Sequence, residues 1–441
     1  MKTKPAIFLL IATLTLAWSW NALYLSQLSG DGLWVIRQLG MYLTGQLSIA
    51  LMSVSMILAT RPVWLESLFN GMDKIYGLHK WLGITGAGFA IAHWLFKEAG
   101  GPISDLVGKT GRPKLAVLPA MQWLHSIAKD LGEWGFYILL IMVALSMWKL
   151  IPYHFWRRIH KLIPALYLVL VVHSVALMPA SYWASVNGMV MAVLLLSGVS
   201  ATFIILAKRI GHKRTHVGRV VMIRPHENQT LEVVCDPGPD WRGHTPGQFV
   251  FLTFDQDEGA HPFTIASAPK ESGTTQLTFH IKDLGDYTAK LAQTLKIDQP
   301  VAIEGPYGKF QCNQGRKNAL QVWLAAGVGI TPFLAWVEAL ENKTLNRPTS
   351  LHYVVTRRDG NHFVSLLEQK CRELTNLELH VHETKTKGRF NADTFLSALS
   401  QGKAIDLWFC GPSKLANHIH KALKTQGLSN VDIHQELFNF R

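Results

Sequence analysis

Up to about residue 210 the chain alternates long apolar runs with short charged stretches; beyond it the period shortens. Runs 5–30 and 38–60 carry no charge, and 75–96 has only Lys80, near its start, where its ammonium can reach toward water. A fourth run, 131–151, has Glu133 and Lys149 near its two ends. The charge-free stretch 162–207 is too long for one crossing of a hydrocarbon core about 30 Å thick, and Pro179 divides it in two. The pattern predicts six membrane helices. From about residue 215, alternating segments such as 248–254 (QFVFLTF) and 275–281 (TQLTFHI) read as strands. Short strands with turn signals up to about residue 312 predict a small antiparallel barrel. After Asn318 an apolar strand (320–326, LQVWLAA) enters a glycine turn and a helical stretch; 351–355 and 406–410 are further strands, a parallel α/β pattern. The expected fold is therefore a six-helix membrane bundle (1–210), an antiparallel β-barrel (215–312) and an α/β domain (318–441).

Composition sharpens this. The chain has 441 residues, is 49% hydrophobic and 17% charged, and carries a net charge of +13. The basic residues gather beside the apolar runs, as with Lys208, Arg209, Lys213 and Arg214, which suits anionic headgroups better than nucleic acid. Four scattered cysteines make no disulfide framework, so the second half is expected in the cytosol. Lysine and arginine counts place the N-terminus inside, with Arg61, Lys74, Lys149, Arg157, Arg158 and Lys161 in inner loops. The stretch 97–129 runs against that rule: it is read as an outer loop, yet holds Lys97, Lys109, Arg112, Lys114 and Lys129. Lys2 and Lys4 precede the first helix without a clear cleavage site, so that helix is expected to stay. An even helix count returns the C-terminal half to the cytoplasm, giving a multi-pass protein of the inner (plasma) membrane.

Four histidines interrupt the apolar runs: His79 and His93, fourteen residues apart, and His160 and His173, thirteen apart. An ionisable side chain in lipid is costly and marks function by default. Each spacing spans roughly 20 Å along a helix. Two such helices side by side would pair His79 with His160 and His93 with His173, one pair near each membrane face. Opposed imidazoles suit a planar metal macrocycle, usually haem. Polar helix contacts, zinc or a proton relay are the alternatives. Thirteen residues do not return to one helix face, and Pro164 between the second pair is a candidate kink. His125 and His154 are expected in solvated loops. In the second half, Gly327 and Gly329 let backbone approach a phosphate at a helix N-terminus, and Pro332 suits that helix's first turn.

Residues 261–269 (HPFTIASAP) resemble the flavin segment of ferredoxin-reductase-type domains, in the form found in NADPH oxidases and ferric reductases. Residues 246–249 (PGQF), 304–308 (EGPYG), 326–332 (AGVGITP), 409–412 (FCGP) and the closing 436–441 (ELFNFR) resemble further motifs of that superfamily, as do the histidine spacings. The resemblance covers nearly the whole chain, in order. It implies that Phe263 packs on the flavin ring and Thr264 hydrogen-bonds it, within a segment that includes His261, Pro262 and Ser267. It implies that His280, Lys282, Gly285 and Thr288 lie where the flavin pyrophosphate is held; Lys282 stands where many relatives have arginine, which removes a bidentate contact. Gly327, Gly329, Thr331 and Pro332 would hold the nicotinamide pyrophosphate, with Cys410, Gly411 and Pro412 by the nicotinamide ring. Arg357 or Arg358 would read an adenosine 2′-phosphate. Phe438 or Phe440 would stack on the flavin.

The implied cofactors are FAD, two haems expected as b-type on His79, His93, His160 and His173, and NADPH or NADH. The implied enzyme moves electrons from NAD(P)H through the flavin and haems to an external acceptor, because a flavin converts a hydride pair to single electrons. No proton-transfer triad is needed. Oxidase relatives carry a histidine one turn beyond the outer ligand and a nearby arginine; here that turn offers Lys97, and Arg37 is the nearest arginine. The reading therefore leans to ferric chelates over O₂ and superoxide, with a quinone or periplasmic redox protein as a further acceptor. A reading from another class is a non-enzymatic metal or proton transporter with a regulatory nucleotide-binding domain; it predicts no haem and no flavin.

Overall fold

A computed structural model describes residues 3–24, 32–113, 119–148, 150–270, 276–312, 315–316, 318–341, 347–399 and 404–436. The chain forms two compact units divided between Ile210 and Gly211.

The first unit is helical. Its long helices are Thr3–Tyr24, Gly32–Ala59, Met72–Glu98, His125–Met147, Ile163–Leu177 and Val186–Leu206. Four segments among the described residues are long and apolar enough to cross a membrane: 32–59, 119–147, 155–177 and 186–206. In Met72–Glu98, His79, Lys80 and His93 lower the apolarity. The helices approach closely through small and polar residues, as apolar surfaces in lipid must, lacking a hydrophobic drive to associate. Ser48 Oγ donates to the Gly86 carbonyl at 2.9 Å, Ser53 and Tyr167 share hydroxyls at 2.8 Å, and the buried amides of Gln46 and Asn187 exchange hydrogen bonds at 2.7 and 2.8 Å.

Three helical expectations are corrected. The fourth long helix begins at His125 rather than near 131, and a 3₁₀ turn Pro119–Leu124 leads into it, so His125 and Lys129 are helical rather than loop residues. His154 also lies in a helix, Tyr153–His160, although its side chain falls outside the described residues. Finally, His160 and His173 are not on one unbroken helix: His160 ends the helix Tyr153–His160, and a turn at 161–162 precedes Ile163–Leu177. Pro164, at the start of that helix, has no N–H to give the His160 carbonyl, which is where a continuous helix would need one.

The second unit holds two sheets. The strands β1 (Thr215–His226), β2 (Thr230–Asp236), β3 (Phe249–Thr253), β4 (His261–Thr264), β5 (Leu277–Lys282) and β6 (Pro300–Tyr307) pair antiparallel in the order β4-β3-β6-β1-β2-β5. The sheet curls until its two edges meet: just past β4, the Ala266 N–H donates to the Thr278 carbonyl of β5 at 2.8 Å. Val220, Val233, Leu252, Phe279 and Ile303 fill the inside.

The strands β7 (Leu320–Ala326), β8 (Thr349–Val355), β9 (Leu377–Glu383), β10 (Ile405–Cys410) and β11 (Val431–Glu436) form an all-parallel sheet in the order β11-β10-β7-β8-β9. Its central strands β7 and β10 are apolar and buried, with a packed cluster on each face of the sheet. Trp323, Phe333, Trp336 and Trp408 pack edge-on and tilted in one core. Trp336 also donates from Nε1 to the Pro246 carbonyl at 3.0 Å, tying this half to the antiparallel sheet.

Candidate functional site

In the helical unit the four histidines come together as two pairs. His79 faces His160 with ring centres 6.2 Å apart and planes crossed at 72°; His93 faces His173 at 6.2 Å and 89°. An imidazole held about 2 Å from a metal puts its ring centre roughly 3 Å away, so two opposed ligands stand about 6 Å apart. The spacing fits one metal ion clasped from both sides, twice.

The tautomers fit as well. His93 Nδ1 sits 2.8 Å from the Met41 carbonyl, His173 Nδ1 2.7 Å from the Ala128 carbonyl, and His79 Nδ1 3.0 Å from the Ser55 carbonyl and 2.9 Å from its hydroxyl. A carbonyl only accepts, so Nδ1 carries the proton and Nε2 keeps its lone pair for a metal. His160 Nδ1 has no hydrogen-bond partner among the described residues; its ring lies on Trp156, centres 5.0 Å apart. Two glycines make the space. A Cβ on Gly45 would come within 2.7 Å of His93 Nδ1, and one on Gly132 would overlap the His173 ring.

Beyond His93, buried Arg37 donates from Nη2 to the Lys97 carbonyl at 2.8 Å, and Lys97 pairs with Glu98 and Glu133, each at 3.0 Å.

On the antiparallel sheet, Thr264 is buried in register with Phe249, and Phe263 and Pro262 are half-buried on β4. Phe263 packs against the apolar interior, and the His261 and Tyr287 rings stack at 4.3 Å. Ser267 Oγ is spent on the protein itself, accepting from the Thr278 N–H at 3.1 Å and donating to the Gln276 carbonyl at 3.3 Å. Thr288 caps the helix Asp286–Thr294, its hydroxyl accepting from the Leu284 and Gly285 N–H groups at 3.0 and 3.2 Å. On β5, Phe279 and Ile281 point inward, so His280 belongs to the other face, where it meets His226 and His362.

The parallel sheet reverses direction between β7 and β10: the chain leaves β7 for β8 and β9 on one side, then returns to β10 and β11 on the other. In such sheets ligands bind at that switch point, beyond the strands' carboxyl ends. Gly327 follows β7 there and Cys410 ends β10. Gly327 has φ +59°, a left-handed backbone that costs glycine nothing. A Cβ on Gly329 would run into the Cys410 carbonyl, and one on Gly411 would press on Ala326. The turn Gly327–Ile330 opens the helix Thr331–Ala339, with Pro332 in its first turn and Thr331 Oγ1 donating to the Val328 carbonyl at 3.1 Å. Lys282 Nζ reaches the turn, 4.0 Å from where a Gly327 Cβ would stand. The turn is a candidate anion cradle at a helix start with an ammonium beside it, although the Thr331 N–H is given to the Val328 carbonyl and Pro332 has none. Cys410 is fully buried; that burial, with Glu436 beside it, pushes its thiol well above its ordinary range, so it is a neutral contact and not a nucleophile.

Pro412 precedes the helix Ser413–Thr425. Arg357 and Arg358 follow β8 and are exposed; Arg358 pairs with Glu368. Phe438 and Phe440 lie outside the described residues. Sequence reasoning overlooked Gly45 and Gly132, whose only signal is smallness within a helix, and the meeting of His226, His280 and His362, which are far apart in the chain.

Residues 44–171 match the family described as ferric reductase like transmembrane component, and residues 217–311 match the FAD-binding domain family. Respiratory burst oxidase homolog protein E of Arabidopsis thaliana is 28% identical over 223 residues, covering 44% of this chain and 22% of that protein. Ferric reduction oxidase 4 of the same plant is 28% identical over 186 residues, covering 39% of this chain and 26% of that protein. The chain thus spans about a quarter of the length of these relatives. A flavohemoglobin from Malassezia yamatoensis, crystallised with FAD and heme, is 16% identical with a TM-score of 0.50, covering 92% of this chain and 99% of that chain, a likeness of fold alone.

Proposed function

Since the chain belongs to the superfamily of NADPH oxidases and ferric reductases, we propose that it is a transmembrane oxidoreductase, passing electrons from cytosolic NAD(P)H to an extracytoplasmic acceptor, with ferric chelates as that acceptor. The observation that carries this is the pair of histidine clasps, each with ring centres 6.2 Å apart, about the separation two imidazoles keep on one metal ion.

When bound, the flavin takes up a hydride pair and gives electrons singly, and haem iron carries them one at a time. This chain's residues do the positioning. His79 and His160 hold one haem and His93 and His173 the other, within six crossings over residues 1–210. The carbonyls of Ser55, Met41 and Ala128 fix three of those imidazoles in the ligating tautomer. Residues 215–312 would hold the flavin: Phe263 would pack on its ring and Thr264 would hydrogen-bond it, within a segment that includes His261, Pro262 and Ser267. Lys282, Gly285 and Thr288 would stand along the flavin pyrophosphate, while His280 meets His226 and His362 instead. In residues 318–441, Gly327, Gly329, Thr331 and Pro332 seat the nicotinamide pyrophosphate, and Cys410, Gly411 and Pro412 back the nicotinamide ring. Arg357 or Arg358 would meet a 2′-phosphate, and Phe438 or Phe440 would supply the aromatic ring that stacks on the flavin. The N-terminus and the second unit lie in the cytoplasm of an inner (plasma) membrane protein.

The outer end supports ferric chelates as the acceptor. Lys97, held by Glu98 and Glu133, stands where an oxidase would place a histidine, and the basic stretch around Lys109 and Arg112 attracts anionic chelates.

The deciding measurement is an absorption spectrum of the purified protein in detergent, with FAD, before and after NADPH under anaerobic conditions. The expected result is a low-spin haem spectrum that becomes reduced, with His79→Ala and His93→Ala each removing one haem. Absence of any haem band, in protein made with adequate haem supply, sinks the proposal. Ferric citrate is expected to reoxidise the reduced protein faster than O₂; superoxide as the main product would turn the reading to the oxidase.

A further inference from the structure

We propose that His226, His280 and His362 form a binding site for a divalent transition-metal ion of the zinc type, separate from the haem clasps and from the cradle at Gly327. His226 ends β1, His280 lies on β5, and His362 opens the helix Asn361 caps, His362–Arg372. Ligand nitrogens of the three lie within 4.8 Å of one another. Tetrahedral zinc needs about 3.3 Å between its nitrogens, so the His226 and His362 rings, parallel with centres 3.6 Å apart, must turn apart to bind it.

Three observations mark a site and not a packing accident. First, the nitrogens await a partner. His280 Nδ1, on a side chain nine-tenths buried, and both ring nitrogens of His362 have no hydrogen-bond partner among the described residues. Buried polar atoms left so are uncommon and call for an unseen ligand. Second, His226 is arranged as a metal ligand usually is: its Nε2 lies 2.9 Å from Glu232 Oε2, which in turn faces Arg224 Nη1 at 3.7 Å. A carboxylate on one imidazole nitrogen orients the other toward a metal. Third, the sheet register builds this support, since Arg224, Glu232 and His280 stand abreast on β1, β2 and β5. Imidazole nitrogens with one carboxylate behind them select zinc, cobalt or nickel over calcium or magnesium.

The site would be a clip. Its ligands come from the antiparallel sheet and from the first turn of a helix in the α/β half, so a bound ion would hold those two halves of the second unit together.

The test uses the full chain in detergent, stripped with EDTA, dialysed against zinc and assayed by metal mass spectrometry and calorimetry. The expected result is about one zinc per chain, with His226→Ala and His362→Ala each weakening binding at least tenfold while FAD content is kept. Neither histidine is placed at the flavin. Zinc-edge X-ray absorption on the unaltered protein keeps the test decisive if a variant misfolds: two or three imidazole ligands support the site. No saturable zinc, unchanged affinity in both variants, or fewer than two imidazoles at the edge overturns it.

Discussion

A single missing side chain decides whether His173 has room. The Gly132 Cα faces that imidazole so closely that any Cβ would occupy the ring's own space. Gly132→Ala is therefore expected to lose at least half of the outer-pair haem signal while FAD content stays unchanged; full haem loading in that variant would contradict the geometry. A second residue-scale prediction concerns Asp406, buried on β10. Burial alone would raise its pKa, but hydrogen bonds from His434 at 2.7 Å and Trp408 at 3.1 Å, with Arg347 at 3.2 Å, outweigh that and hold it below its ordinary 3.8. A depressed carboxylate stabilises the fold above its unfolded pKa and loses that contribution as pH falls through the folded value. Thermal melts of the second unit should therefore be flat near neutrality and drop below about pH 4. Asp406→Asn should cost about 3 kcal/mol at pH 7 and flatten that drop, since it leaves Arg347 and His434 facing a neutral amide. Of the residue-scale picture, the histidines themselves were legible because charge-bearing residues stand out in apolar runs. Their orienting acceptors were not: a main-chain carbonyl leaves no mark in sequence.

Among the elements, the break before Ile163 matters most. On one continuous helix, thirteen residues would leave His160 and His173 about 140° apart around the axis. The turn at 161–162 releases His160 to meet His79 while His173 meets His93. Pro164→Ala, which lets the helix run through, is expected to lower inner-pair haem occupancy and spare the outer pair, measured by redox titration of the two haems. Proline was visible in the sequence, but a kink's rotation depends on which carbonyl is released and on what the neighbouring helices offer, and neither is local. The helix start at His125 was misplaced for a related reason: residues 119–130 mix apolar and charged positions, so their hydropathy is that of a loop. Strand periodicity served better. Alternation in 248–254 and 275–281 is a short-range signal, and β3 (Phe249–Thr253) and β5 (Leu277–Lys282) lie there within two residues at each end. At the other sheet, Cys410→Ser is expected to slow flavin reduction by NADPH about tenfold with FAD content intact, because a contact at the β7–β10 crevice positions the ring rather than reacting with it. Unchanged stopped-flow rates would remove Cys410 from the site.

For the whole molecule, a net charge of +13 on a chain whose basic residues crowd the membrane-flanking stretches has kinetic consequences. Reduction of anionic ferric citrate should fall with rising ionic strength, whereas a neutral acceptor of similar potential should show little change. Equal salt dependence for both would remove charge from the account of acceptor choice. The carbonyls that hold His93 and His173 carry a different consequence. Met41 and Ala128 offer them through the main chain, which every residue type possesses, so substitutions at those two positions leave the acceptors in place. Gaining or losing one residue within either helix would swing the carbonyls round by about 100° and strand the imidazoles. Drift among homologues should therefore be strict in length along these two helices, with single-residue insertions and deletions purged, and freer in spelling at Met41 than at Gly45 and Gly132, where a side chain would meet the imidazoles.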